Sequence, residues 1–256
     1  MFEGMYTRFR QKIQLSASLL FSVLSIQSEA HVKSYTLEYN NHRFTVVEVH
    51  DLSKLRLFLN QQESKTPLNY FANIPMQLAQ CEQMLFAMNA GMFHHTYAPV
   101  GLYIENNKKL FPLNLHRGWG NFYLQPNGVL AWNSKQAIIL NSSQYTKKKF
   151  KADYATQSGP MLVSNRRINP IFMAESASLR IRNAVGIKDQ VLYFVLTEQA
   201  VSFYALASFM QQELKLEQAL YLDGSISAMY LAEKDINTQS SPFGPMLAYI
   251  EDQSCR

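Results

Sequence analysis

The chain has 256 residues, 47% of them hydrophobic and 17% charged, with a formal net charge of +5. This composition excludes a disordered chain, since enough apolar surface exists to offset the entropy of ordering, and the length fits one sizeable domain better than two. Sixteen Phe and fourteen Tyr against two Trp point to a β-rich interior.

Residues 1–30 read as a signal peptide. Arg8, Arg10 and Lys12 form a positive start, an apolar stretch with small residues runs from Ile13 to Ile26, and Ser28-Glu29-Ala30 offers a cleavage site. Four serines at 16, 18, 22 and 25 make the stretch too short and too polar for a stable span, the competing reading being an uncleaved anchor. The expectation is therefore a mature domain of residues 31–256, periplasmic or secreted, with no stable membrane insertion. Removing the leader leaves a net charge of +4, part of it in Lys147, Lys148, Lys149 and Lys151. That cluster lacks interleaved aromatics and reads as a solvated loop or helix end. Attraction to anionic glycans is the sharper option, and no nucleic-acid partner is indicated. Cys81 and Cys255 either pair in an oxidising compartment or stay as buried thiols.

Along the chain, Ser34–Tyr39 and His42–Val49 alternate around Asn40-Asn41 as a hairpin would. Residues 67–80 space Leu68, Phe71, Ile74 and Leu78 as a helix, with Pro75 set to kink it. Met84–Met88 reads as a buried strand running into Asn89-Ala90-Gly91. Further hairpins are predicted at Asn106-Asn107 and at Pro126-Asn127-Gly128, the latter between Phe122–Leu124 and Val129–Trp132. In the second half Pro160–Val163 reads as a strand, and Ala184–Ile187 and Val191–Leu196 flank a turn at Asp189-Gln190. Ser202–Lys215 reads as a helix capped by Ser202, and Ala219–Leu222 as a strand. The fold class expected is α/β (mixed α+β): a single compact domain with a mixed β-sheet and flanking helices.

Three apolar runs end in small-residue turns that carry a polar side chain: Asn89-Ala90-Gly91, Gln157-Ser158-Gly159 and Asp223-Gly224-Ser225-Ile226-Ser227. Glycine lets such a turn bend sharply, so its polar neighbour can be aimed into a crevice at a sheet edge. A fourth segment, Arg180-Ile181-Arg182-Asn183-Ala184-Val185-Gly186, sets arginines before an apolar strand, where burial demands an anionic or carboxylate partner. His94-His95 follow the first turn. On a strand adjacent histidines point opposite ways, so they read as rim residues rather than metal ligands.

The order Asn-Ala-Gly-Met-Phe, Gly118-Trp119-Gly120-Asn121-Phe122, Gln-Ser-Gly-Pro, Arg-x-Arg-Asn-Ala-Val-Gly and Leu-Asp-Gly-Ser-x-Ser resembles the phosphodiester glycosidase family from about Tyr35 to Ile250. The resemblance is closest to its bacterial, exported branch. It implies hydrolysis of a sugar 1-phosphodiester, with a phosphorylated sugar or glycan as substrate. It matches Asn89, Gly91, Arg182, Asp223, Gly224 and Ser227 to family positions, with Ala90, Ser225 and Ile226 replacing family glycines. Asp223 and Arg182 are the expected catalytic residues; Asn89, Gly91, Gln157, Ser158, Gly159, Gly224 and Ser227 are the expected substrate contacts. No metal ligand set or cofactor is named, and the oligomeric state is left open.

These residue types suit the chemistry. A departing phosphate monoester is a weak base, so strong general-acid help matters less than for an ordinary glycoside. Arg182 would stabilise phosphate by two-point contact, and Asp223 would serve as base, nucleophile or electrostatic stabiliser. The main rival is a non-catalytic cell-envelope glycan-binding protein. A serine hydrolase using Ser225 or Ser227 is disfavoured, because no Gly-x-Ser-x-Gly surrounds them.

Overall fold

Paired turn residues shape much of the chain, which is seen in a computed structural model describing residues 32–223 and 226–253. The leader at 1–30, Gly224, Ser225 and Cys255 fall outside the described residues. Asn40 and Asn41 both take left-handed backbone, with φ of 49° and 61°, as a two-residue hairpin turn requires. Val32–Tyr39 and His42–Val49 pair across them. The device recurs at Asn106-Asn107, joining Tyr103–Glu105 to Lys108–Phe111, and at Asp189-Gln190, joining Asn183–Lys188 to Val191–Thr197. A further hairpin, which the sequence reading missed, turns at Asn165-Arg166 between Met161–Ser164 and Arg167–Ile168.

Among the described residues the strands form three sheets. The first has seven strands, in the order Val32–Tyr39, His42–Val49, Val191–Thr197, Asn183–Lys188, Gln218–Asp223, Met161–Ser164 and Arg167–Ile168. The second has five: Ile236–Asn237, Met229–Leu231, Glu82–Asn89, Met246–Asp252 and Leu55–Phe58. The third runs Lys108–Phe111, Tyr103–Glu105, Tyr154–Ser158, Gly128–Trp132 and Ala137–Asn141. Every pairing described is antiparallel, so the expected mixed sheet is corrected. Parallel neighbours need crossovers of a dozen or more residues, usually helical, whereas tight turns give antiparallel ones. The molecule is sheet-dominated, with few helices.

The stretch read as a helix over 67–80 forms a seven-residue 3-10 helix, Phe71–Gln77, with Pro75 inside it. Proline removes a donor and crowds the preceding turn, which ends longer α-helical growth, yet Leu68, Phe71 and Ile74 still turn inward. The helix predicted from Ser202 is present as Phe203–Ser208, continued by a π-turn at Phe209–Glu213. Ser202 caps it, its Oγ accepting from the Ala205 N–H at 3.1 Å. Phe122 lies in a short 3-10 turn, Asn121–Tyr123, not in a strand. Gly128–Trp132 therefore pairs with Ala137–Asn141 and Tyr154–Ser158 instead of closing the predicted hairpin.

The main core sits where the three sheets face one another, with Val47 and Val49 from the first, Phe86 and Met88 from the second, and Leu130 and Trp132 from the third. The buried Trp132 Nε1–H donates to the Leu55 carbonyl at 3.0 Å, meeting the need of a buried indole for an acceptor. On its other face the first sheet packs Phe44, Val46 and Val195 against Leu206, Phe209 and Met210 of the helical segment. Phe44 and Phe209 stack with ring centroids 3.9 Å apart. Burial on both faces leaves Phe44, Val46, Val47 and Val49 of His42–Val49 fully enclosed. Each such side chain contributes about 1.5–3 kcal/mol.

Candidate active site

One strand end from each sheet meets at a single polar junction. Glu82–Asn89 ends at Asn89, Gln218–Asp223 at Asp223 and Tyr154–Ser158 at Ser158, while Asn183 opens its strand opposite Asp223. Asn183 is fully buried and its amide is fully used. Nδ2 donates to the Asn89 carbonyl at 3.0 Å and to Asn89 Oδ1 at 2.9 Å; Oδ1 accepts from the Asp223 N–H at 3.0 Å and Ser227 Oγ at 3.3 Å. Asn89 Oδ1 also accepts from the Ala228 N–H at 3.0 Å. Ser158 Oγ donates to the Leu222 carbonyl, and Thr156 Oγ1 to that of Ala90 at 2.7 Å. Buried polar groups survive in cores only when paired like this. Among the described residues of the junction, Asn89 Nδ2 lacks a protein partner, a buried donor that a ligand oxygen or a water can meet.

This junction holds Asp223 from both sides. Its N–H is bound by Asn183, and its carbonyl accepts from Ser227 Oγ at 2.6 Å. The residue lines a cleft of about 780 Å³ whose walls include Phe93, His94, His95, Trp119, Tyr123 and Ile226. Gly91 makes the bend that carries Met92 and Phe93 into that wall. Its φ is 155°, and an added Cβ would lie 2.8 Å from Thr156 Oγ1, so a side chain there is excluded by strain and by space. His94 and His95 share the cleft because this segment is a turn and not a strand, with the Tyr97 N–H donating to the His94 carbonyl at 2.7 Å. Trp119 is 98% exposed at the rim.

Among the described residues, the other expected site residues do not line that cleft. Ser227 lines a neighbouring cavity of about 820 Å³, and Ile226 lines both. Arg182, expected to contact phosphate, lines neither among the described residues. The side chain is 1% exposed. Nε donates to the Val201 carbonyl at 2.8 Å, one terminal nitrogen to Tyr221 Oη at 3.1 Å and the other to the Ser178 carbonyl at 2.8 Å, with the guanidinium 3.9 Å above the Phe203 ring. Burial pulls its pKa below the ordinary value while the Tyr221 contact opposes that shift, and burial pushes the Tyr221 phenol up.

Gln157 also turns inward. Oε1 accepts from the Leu102 and Asn114 N–H groups at 3.0 and 2.8 Å, and Nε2 donates to the Asn114 carbonyl at 2.6 Å and Ser142 Oγ at 3.0 Å. All four of its hydrogen-bonding positions are filled from within the protein. Gly159 lies so close to Asn127 that an added Cβ would come within 2.6 Å of that residue's Cβ. The Gln157-Ser158-Gly159 turn is thus a joint between strands, not a wall of either cavity. Asn183 is the residue the sequence reading passed over, although a buried Asn at the start of an apolar strand signals a polar partner in waiting.

Scaffold and cleft together describe a sheet-built protein carrying a concave site with a carboxylate and aromatic walls at its strand ends. Residues 82–249 match the phosphodiester glycosidase family, and the chain belongs to that family, whose members are hydrolytic glycosidases acting on phosphodiester linkages. It is 43% identical over 168 residues to the uncharacterized protein YigE of Escherichia coli (strain K12). That match covers 65% of this chain and 65% of YigE, just under two thirds of the relative's length. The catalytic domain of zebrafish N-acetylglucosamine-1-phosphodiester alpha-N-acetylglucosaminidase, auto-inhibited by its pro-peptide, superposes with a TM-score of 0.63 at 14% identity, covering 87% of this chain and 84% of that one. The likeness shows a shared fold.

Proposed function

We propose that the protein hydrolyses a sugar 1-phosphodiester in the cleft lined by Asp223. The observation that carries this reading is the double anchoring of Asp223 in a concave, aromatic-walled site. A carboxylate whose own backbone is held at both N–H and C=O is pre-positioned, and pre-positioned charge is what stabilises an oxocarbenium-like centre or guides water onto it. A phosphate monoester leaves readily, so one carboxylate suffices where ordinary glycosides call for two. Trp119 supplies an apolar face at the rim against which a sugar ring can lie. Family membership supports the reaction class. The expected leader places the activity outside the cytoplasm, as a periplasmic or secreted enzyme. Among the described residues no helix is long and apolar enough to cross a membrane.

The test is to incubate purified mature protein with a panel of sugar 1-phosphodiesters and nucleotide sugars and to follow free sugar. The parent should release sugar from at least one of them, and Asp223→Asn should not. An Asp223→Asn variant that releases sugar at the parent's rate would remove Asp223 from the chemistry. A parent that binds but never cleaves would favour the glycan-binding alternative. Intact mass of the envelope-fraction protein tests cleavage after Ala30, and retention of residues 1–30 there would contradict it.

A further inference from the structure

We infer that the neighbouring 820 Å³ cavity is the phosphate and aglycone subsite, and that Arg180, not Arg182, is the cation that meets the phosphate; this rests on the reading of the Asp223 cleft as the sugar-cleaving centre. The two cavities share Ile226 as a wall, and Asp223 and Ser227 stand on either side of it. A sugar 1-phosphodiester has the same two-part shape, an uncharged ring on one side of the scissile bond and an anion with its substituent on the other.

Charge within the second cavity selects Arg180. Glu198 is occupied there, with one oxygen 3.3 Å from Arg43 Nε and the other accepting from Thr45 Oγ1 at 3.1 Å. Arg43 and Glu198 therefore cancel. Arg180 also lines the cavity and, among the described residues, enters no salt bridge; its side chain donates only to the Leu179 carbonyl, at 2.7 Å. The cavity keeps one net positive charge, and Thr36 and Ser240 add hydroxyls to its lining. A guanidinium with donors to spare, next to hydroxyls, is the chemistry that grips phosphate oxygens. The apolar share of the lining, Ile181, Leu196 and Met229 among it, fits an aglycone with some hydrophobic surface.

Arg182 then acts through Arg180 as a positioning residue. The Val201 carbonyl accepts from both the Arg180 N–H, at 3.1 Å, and Arg182 Nε, at 2.8 Å, while the Val201 N–H returns a bond to the Arg180 carbonyl at 2.8 Å. The far end of Arg182 holds the Ser178 carbonyl. The buried arginine thus staples residues 178–180 to Val201 and fixes where Arg180 stands.

Titration with inorganic phosphate tests the assignment without relying on turnover. The parent should bind phosphate, Arg180→Gln should bind it at least tenfold more weakly with an unchanged circular dichroism spectrum and Tm, and Asp223→Asn should bind at least as well as the parent. On a phosphodiester the parent cleaves, Arg180→Gln should raise KM at least tenfold more than it does for a neutral aryl glycoside of the same sugar. Arg182→Lys should show the same phosphate-selective KM defect, and the double variant should be no worse than Arg180→Gln alone. A parent that does not bind phosphate, an Arg180→Gln that binds it as the parent does, or loss confined to His94→Gln or His95→Gln would overturn the subsite. A parent that binds phosphate through Arg180 yet cleaves no phosphodiester would overturn the proposed function and leave the anion site standing.

Discussion

The turns at Gln157-Ser158-Gly159 and at Asp223 look alike in sequence, each an apolar strand ending in a polar residue and a glycine, yet they have opposite fates. Gln157 spends every donor and acceptor on the protein, with Leu102, Asn114 and Ser142. Asp223 has its backbone held by Asn183 and Ser227 while the residue lines an 780 Å³ cleft. Whether a polar turn becomes a joint or a site depends on where its hydrogen bonds are met. Spacing along the chain does not carry that information.

Substitution should separate the two turns cleanly. The largest effect expected is on rate: Asp223→Asn should lower turnover on the order of 10²–10⁴-fold, about 3–5 kcal/mol of barrier, with little change in Tm. Gln157→Ala should do the reverse. Four hydrogen bonds, two of them buried, lose their partner, which costs about 2–4 kcal/mol of stability by denaturant titration, while KM for any substrate cleaved moves far less than Tm does. Equal rate losses in both variants would dissolve the contrast.

A constraint far from either turn should act on stability alone. Cys81 is disulfide-bonded, and the Gln253 N–H donates to the Cys81 carbonyl at 2.6 Å, two residues before Cys255, the sequence's other cysteine. Cys81→Ser should cost about 4 kcal/mol or less, following loop-closure entropy minus strain, and full alkylation of both thiols without reductant would end the pairing. Trp119→Ala should raise KM five- to tenfold, about 1 kcal/mol, with no loss of Tm because the ring is exposed. The smallest effect is one of pH. The Arg56 guanidinium, 2.5 Å from Glu82, holds that carboxyl below its ordinary value of 4.5. A depressed pKa contributes stability that is present above about pH 4.5 and lost as pH falls through the folded value, so Glu82→Gln should flatten the acid side of the Tm profile.

Much of the framework was legible because local chemistry decides it. Asn40-Asn41, Asn106-Asn107 and Asp189-Gln190 adopt left-handed backbone readily, and each hairpin followed. Ser202 and the stripe from Phe203 to Leu214 gave the helical segment. The mixed sheet was misread because strand direction is set by long-range pairing, which leaves no local signature. Near the cleft, the sequence marked Asp223 as a polar residue ending an apolar strand, where the structure places it. The surroundings of Arg182 were not legible, since its acceptors, the carbonyls of Val201 and Ser178, have no signature in side-chain sequence.

The polar junction fastens all three sheets at the place where the proposed chemistry sits. Functional regions are commonly the soft part of a fold and open long before the core does. Here the Asp223 and Ala228 amides are donated to buried Asn side chains, and Asn183 and Asn89 are themselves fully enclosed. Deuterium should therefore reach these two amides about as slowly as it reaches the central strands, through global rather than local opening. The floor of this junction would be the last thing to loosen on warming, so activity lost to heat should track the cooperative melt instead of preceding it.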